Sequence, residues 1–399
     1  MPTLTPNQAA RIADGVYQLL DRNRPPGLSG RLAAKGAYLD CEEWFDVSGS
    51  GQFKGESGIP GLTTTSEFGY IAHGKGDFQG ETLIAVRGTD LDVDWLTNLN
   101  IGLQIGPSGH PVHSGFNRTW KSFAEIIRGN LKGKSPTMIH CIGHSLGGAL
   151  ATLNADYLSY EGAADIRLYT FGSPRTGSMD FSLALSSRVG TANIFRVAHV
   201  ADPVPMIPLF PFLHVPLAGP TITLHSGSRG LVSVGAHNML ESYIPGVGPS
   251  TWEQLIKQMP DAREDELRIE SWLQNSSSLM DGLGMGSALL LRMIKKALQW
   301  ILAKTAYVLL VQFSTKVVVG LTLLDQLAAI LASGMAASIE ITDYMLKLIS
   351  AVGKYLGRVF STAVSMTVGF IRWVLDLLFT SVSQLAVKAI SKVNDYVPL

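Results

Sequence analysis

Apolar residues follow two different rhythms along this chain. Before residue 275, apolar runs of strand length (Thr82 to Val86, Thr137 to Ile142, Ile166 to Phe171 and Asn193 to Val200) alternate with helix-length patterns such as Leu146 to Tyr160. That alternation predicts a mostly parallel sheet covered by helices. The texture changes at the polar stretch Asn275, Ser276, Ser277 and Ser278. From about Gly284 to Val397 the pattern is helical, interrupted by Gly and Ser, with a single proline at the very end.

Within this second part, Leu290, Ile294, Ala297 and Ile301 recur on one helical face, opposite Arg292, Lys295, Lys296 and Gln299. Met345, Leu348, Ile349, Val352, Leu356, Val359 and Phe360 repeat the arrangement, with Lys347, Lys354 and Arg358 on the polar side. Both stretches predict amphipathic basic helices. Tyr307 to Ala337 is almost wholly apolar, yet no uncharged apolar run reaches the ~18 residues expected of a transmembrane helix. Such faces suit an anionic membrane surface, or equally a helical bundle packed on itself, on the rest of the chain or on a second copy.

Composition adds limits to this outline. A chain of 399 residues exceeds one average domain, so we expect an α/β unit over residues 1–275 and an all-helical tail over residues 276–399. Hydrophobic residues make up 46% and charged ones 16%, too apolar a mixture for disorder over most of the chain. The formal net charge of zero gives no long-range attraction to polyanions, so nucleic acid is not an expected partner. With Cys41 and Cys141 as the only cysteines a disulfide framework is excluded, and Cys141, inside an apolar run, reads as a buried inert thiol. Met1 to Arg24 has no continuous apolar core or small-residue cleavage site, so cytoplasmic synthesis without a cleaved Sec signal is expected.

Candidate chemistry begins at Gly143, His144, Ser145, Leu146, Gly147 and Gly148, where a strand-length run turns into a helix start. Small residues around the serine fit a sharp strand-to-helix turn that holds a nucleophile in a strained backbone conformation. The hydroxyl of Ser145 then stands at a helix N-terminus, where unpaired N–H groups, that of Leu146 first, favour developing negative charge. A hydroxyl is a weak nucleophile at neutral pH and needs a base and an acid to orient that base. Asp202 is the best acid, because it follows a strand-length run and opens the turn Asp202, Pro203, Val204, Pro205; Asp156, Asp165 and Asp180 read as surface carboxylates. His214, His225 and His237 all follow it as candidate bases.

The neighbouring motifs make a family resemblance specific. Tyr169 to Gly177 (Tyr-Thr-Phe-Gly-Ser-Pro-Arg-Thr-Gly), Arg87-Gly88-Thr89, the segment with Asp94, Trp95, Asn98 and Leu99, Val112 to Phe116, and the Asp202 turn occur in the order seen in class 3 lipases. The chain resembles that family from about Ala9 to Tyr243, and the tail lies outside the likeness. The resemblance implies an α/β-hydrolase fold, the order Ser, Asp, His in the chain, and His237 as base from its surroundings, with His225 as the alternative. It implies Thr89 as the second oxyanion donor beside Leu146. It also implies a lid within Leu91 to Gly109, carrying Trp95, Leu96 and Leu99, although that stretch reads equally as an ordinary surface helix and loop.

The expectation is therefore a serine hydrolase of lipid esters, lipase or phospholipase, working through an acyl-enzyme on a lipid or phospholipid substrate. No metal or cofactor is expected, because no His, Cys and carboxylate cluster stands at ligand spacing. The alternative is a bacterial effector, exported by a route without a Sec signal. In that reading the tail binds a membrane, a second copy or an inhibitory partner protein, and hydrolysis is accessory.

Overall fold

The computed structural model describes residues 3–17, 41, 43–46, 51–59, 62–88, 102–208, 212–217, 221–225, 232–259, 267–274, 287–309, 323–360 and 366–395. The chain divides into two compact units, one of residues 1–227, 234–259 and 386–399, the other of residues 228–233 and 260–385.

In the first unit, helix α1 (Pro6–Gly15) opens with a capping box, Thr5 and Gln8 each satisfying the other's backbone N–H. Strands β1 (Phe45–Asp46), β2 (Phe53–Ile59), β3 (Leu62–Gly74) and β4 (Thr82–Val86) follow, then a hairpin of β5 (Leu103–Ile105) and β6 (Pro111–His113). Helix α2 (Ser114–Leu131) precedes β7 (Met138–His144), α3 (Leu146–Tyr160), β8 (Asp165–Phe171), α4 (Met179–Val189), β9 (Ile194–His199) and β10 (Thr221–Leu224). The sheet runs β1-β3-β4-β7-β8-β9-β10, with β2 paired to β3. Strands β4, β7, β8, β9 and β10 are mutually parallel, and β1, β2 and β3 form an antiparallel margin. Every residue of β4 and β7 is buried, as the continuous apolar runs require of strands covered on both faces. A mostly parallel sheet flanked by helices, with a strand-to-helix turn at its centre, is the α/β-hydrolase fold.

Polar groups fix the elements around the future site. The His113 imidazole accepts the Phe116 N–H at 3.4 Å and caps α2. Burial pushes its pKa down to about 3, which keeps the ring neutral and its lone pair available. Asp156 on α3, expected at the surface, is instead 0% exposed. Its carboxylate is held by the Ser108 N–H (3.1 Å), the Ser108 hydroxyl (2.8 Å) and the Arg188 guanidinium, which together satisfy a charge that burial alone would neutralise. Cys141 is buried, and burial raises its thiol pKa far above the usual range.

In the second unit a helical stretch over 267–274 precedes α7 (Ser287–Leu309), α8 (Leu323–Ala337), α9 (Ile339–Leu356) and α10 (Val368–Asp395), the last running back into the first unit at Ala386. Two short helices of the first unit, α5 (Ile244–Val247) and α6 (Trp252–Lys257), precede them in the chain. Helices α7, α8 and α9 pack on one another. The face Leu290, Ile294, Ala297 and Ile301 is buried, while Gln299 is exposed and Arg292, Lys295 and Lys296 are half-buried. Thr305 presses so closely on Gly334 that a Cβ there would lie 2.4 Å from its methyl group, which fixes α7 against α8. The second amphipathic pattern is shorter than its periodicity suggests. Gly357, at φ +65°, ends α9 after Leu356, and the Arg358 N–H returns to the Gly353 carbonyl at 2.8 Å, leaving Val359 and Phe360 beyond the helix. Among the described residues one helical stretch, Val368–Ser391, is long and apolar enough to cross a membrane, and 44% of its most apolar window is buried.

Candidate active site

Ser145 sits between β7 and α3 at φ 57°, ψ −134°, the one non-glycine residue with positive φ among those described. Such a conformation costs about 1–3 kcal/mol and persists only where its surroundings dictate it. They do so here through backbone crowding: a Cβ on Gly143 would meet the Gly147 carbonyl oxygen at 2.1 Å, and one on Gly147 the Val86 carbonyl oxygen at 2.2 Å. The Ser145 N–H is tied to the Phe171 carbonyl of β8 at 2.9 Å. The turn thus holds the hydroxyl at the start of α3, whose first N–H, that of Leu146, has no partner within the helix.

Two loops bring the other groups. Asp202 follows β9, its N–H bonded to the His199 carbonyl at 3.1 Å. His237 ends the 3₁₀ turn Val234–His237, and Asn238 caps the π-helical turn Met239–Tyr243 behind it. His237 Nε2 lies 2.8 Å from Ser145 Oγ, and its Nδ1 lies 2.7 Å from Asp202 Oδ2. All three side chains are buried, Ser145 at 3% exposure. The Asp202 carboxylate also accepts the Val204 N–H (2.8 Å) and the Tyr243 hydroxyl (2.6 Å), so this buried charge has three donors. Tyr243 in turn accepts the His199 N–H at 3.1 Å, and burial together with Asp202 raises its pKa well above 10, so the phenol stays a donor.

His144, beside Ser145, bridges neighbouring elements. Burial and the neighbouring His237 push its pKa well below 6.5, so the ring is neutral with one N–H. Its Nε2 faces the His237 carbonyl at 2.8 Å and must donate there, which leaves Nδ1 to accept the Tyr17 hydroxyl at 2.9 Å. The Tyr17 oxygen accepts the Gly88 N–H at 3.2 Å. A directed chain therefore runs from Gly88 through Tyr17 and His144 to the backbone of His237.

The structure brings Ser145, Asp202, His237 and the Leu146 N–H together. Thr89, Trp95, Leu96 and Leu99 lie outside the described residues; of the stretch Leu91 to Gly109, residues 102–109 form β5 and its turn. His214 is engaged elsewhere, 2.8 Å from the Pro205 carbonyl and 2.9 Å from Arg196. His225 follows β10, and the ring against Ser145 Oγ is that of His237. Tyr17 had no signal in the sequence, because it lies far from every motif. Among the described residues no three His, Cys, Asp or Glu side chains converge as a metal site.

Residues 83–212 match the family Lipase (class 3). A secreted mono- and diacylglycerol lipase of Fusarium solani is 38% identical over 134 residues, 32% of this chain and 39% of that protein. A phospholipase A1-II of Oryza sativa subsp. indica is 26% identical over 248 residues, 51% of this chain and 62% of that protein. Among solved structures, the lipase from Rhizopus microsporus var. chinensis aligns at 21% identity and a TM-score of 0.39, over 55% of this chain and 73% of its own. The chain thus spans less than two thirds of either sequence relative's length. The segment that carries the strand-to-helix turn at Ser145 and the turn at Asp202 is thus the part of the chain that is similar to the class 3 lipases.

Proposed function

We propose that the chain is a serine carboxylester hydrolase of lipid esters. The observation that carries this reading is the buried relay from Ser145 Oγ through His237 to Asp202, set at a strained turn before α3. In the proposed cycle Ser145 Oγ attacks the ester carbonyl while His237 Nε2 takes its proton, and Asp202 holds the ring and stabilises the imidazolium. The oxyanion forms beside the Leu146 N–H and Thr89, each such donor contributing about 3 kcal/mol to the transition state. Support for Thr89 comes from the residue before it in the chain: a Cβ on Gly88 would lie 3.3 Å from Ser145 Cβ. His237 then returns its proton to the departing alcohol, and water, deprotonated by the same ring, releases the acid from the acyl-enzyme.

Support for a lipid ester comes from the relatives, one named for acylglycerols and one for phospholipids. A lid within Leu91 to Gly109 and membrane contact by the helical tail belong to the same reading, since such substrates lie at an interface. The effector alternative draws only on the tail's composition. The test is steady-state hydrolysis of a soluble p-nitrophenyl ester by Ser145→Ala, Asp202→Asn and His237→Ala, each expected to lose about 10⁴-fold or more in kcat while remaining folded. Turnover that survives His237→Ala and dies in His225→Ala would replace the base. Mass spectrometry of products from triacylglycerol and from mixed-acyl phospholipid then gives the substrate and the bond cleaved.

A further inference from the structure

The end of the second unit where α9 stops is built unlike the rest of it. Past the Gly357 cap the chain leaves Val359 99% exposed. Phe360 packs edge-on against Phe370 and Trp373 of α10, at centroid separations of 6.2 and 5.6 Å. Val368 and Trp373 remain 43% and 45% exposed. Around this apolar tip Lys354 and Arg358 are exposed and Asp376 of α10 is half-buried, while Lys347, further back on α9, is paired with Asp343. Arg372 is paired with Asp325, while Arg358 is exposed beside Val359. The opposite end of α9 has an exposed Ile339 as well, but Glu340 and Asp343 stand beside it. One end therefore combines exposed aromatic and aliphatic groups with the exposed basic side chains Lys354 and Arg358, and the other places the exposed Glu340 and Asp343 beside Ile339.

We propose that the tip formed by Arg358, Val359, Phe360, Val368 and Trp373 docks on the surface of an anionic phospholipid bilayer. Aromatic rings with one apolar edge settle at the level of the headgroups, and neighbouring basic residues add attraction to anionic lipid. The acidic end of α9 would be repelled by the same membrane. The inference rests on the reading that the substrate is a lipid ester, because docking there brings the hydrolase to its substrate phase.

The test uses the full chain carrying Ser145→Ala, so that vesicles stay intact, in flotation assays. With about 30 mol% phosphatidylglycerol in phosphatidylcholine, binding is expected and should weaken as salt is raised. Val359 is fully exposed, so Val359→Asp leaves the fold untouched; it should reduce the partition coefficient about tenfold or more by removing an apolar contact and adding repulsion. Arg358→Gln should reduce it about fivefold on anionic vesicles and leave pure phosphatidylcholine unaffected. Both changes, made in the chain with Ser145 intact, should leave p-nitrophenyl ester turnover unchanged. That assay separates failure of the docking surface from failure of the hydrolase. Vesicle binding equal to that of the parent in Val359→Asp would overturn the proposal. So would binding that survives an alkaline carbonate wash, which would indicate a span through α10, or a dimer in sedimentation that Val359→Asp converts to monomer without any change in flotation.

Discussion

The Asp202 carboxylate shows how much of a relay is held by residues outside it. Tyr243 donates one of its three hydrogen bonds, and hydrogen bonds to charged groups are worth about 1.5–3 kcal/mol. Tyr243→Phe should therefore lower kcat on a soluble ester about 10- to 100-fold with little change in KM, since Asp202 would no longer be fully oriented behind His237. Stopped assays with a circular-dichroism control check it, and a wild-type kcat would deny Tyr243 this part. Buried neutral histidines make a second prediction, on stability. His113 and His144 both have lowered pKa values in the folded chain, so the unfolded state binds more protons as pH falls through about 6.5. Unfolding free energy should then fall with acidification below that pH, since both rings must take up protons on unfolding. Denaturant titrations from neutral pH to mildly acid pH should show that fall, and His113→Gln should make it shallower. At this scale the sequence was informative where chemistry needs a motif and silent where it needs only a partner. Ser145 and Asp202 could be read from their turns. Tyr17 could not, because nothing near it in the chain says that it meets His144.

Elements were legible to the extent that burial made them uniform. The run Thr82 to Val86 is a strand with those limits, and Leu146 to Tyr160 a helix with those limits, because each is buried and bounded by a turn. The antiparallel margin escaped notice: β2 and β3 are rich in Gly, Thr, Ser and Glu, with residues turned to solvent, so they lack the apolar run that marks the central strands. The overestimated end of α9 has a different cause, since apolar periodicity continues past Gly357 while the backbone does not. Close packing of α3 on the sheet yields a prediction at this scale. Gly147→Ala would drive a Cβ into the Val86 carbonyl, and overpacking of this kind costs about 1–3 kcal/mol or more. A lowered midpoint in thermal unfolding, with loss of esterase activity beyond that of any unfolded fraction, is the expected result; an unchanged midpoint would show that the sheet and helix yield there.

At the scale of the whole chain, helix α10 is divided between the two units at Ala386. Residues 386–399 group with the first unit, and Ala386, Ala389 and Ile390 are buried. Deleting residues 386–399 should consequently lower the thermal midpoint of the esterase, by about 5 °C or more if two or three kcal/mol of burial are lost. Scanning calorimetry of the full and shortened chains decides this, and equal midpoints would make the returning segment dispensable. A similar closure occurs at the other end of the first unit, where Trp252 Nε1 donates to the Leu4 carbonyl at 2.7 Å across 248 positions of sequence. Part of the seat of helix α1, with Leu4 before it, is thus supplied by a residue 248 positions away in the chain. Non-local closures of this kind form late and slow folding relative to local contacts.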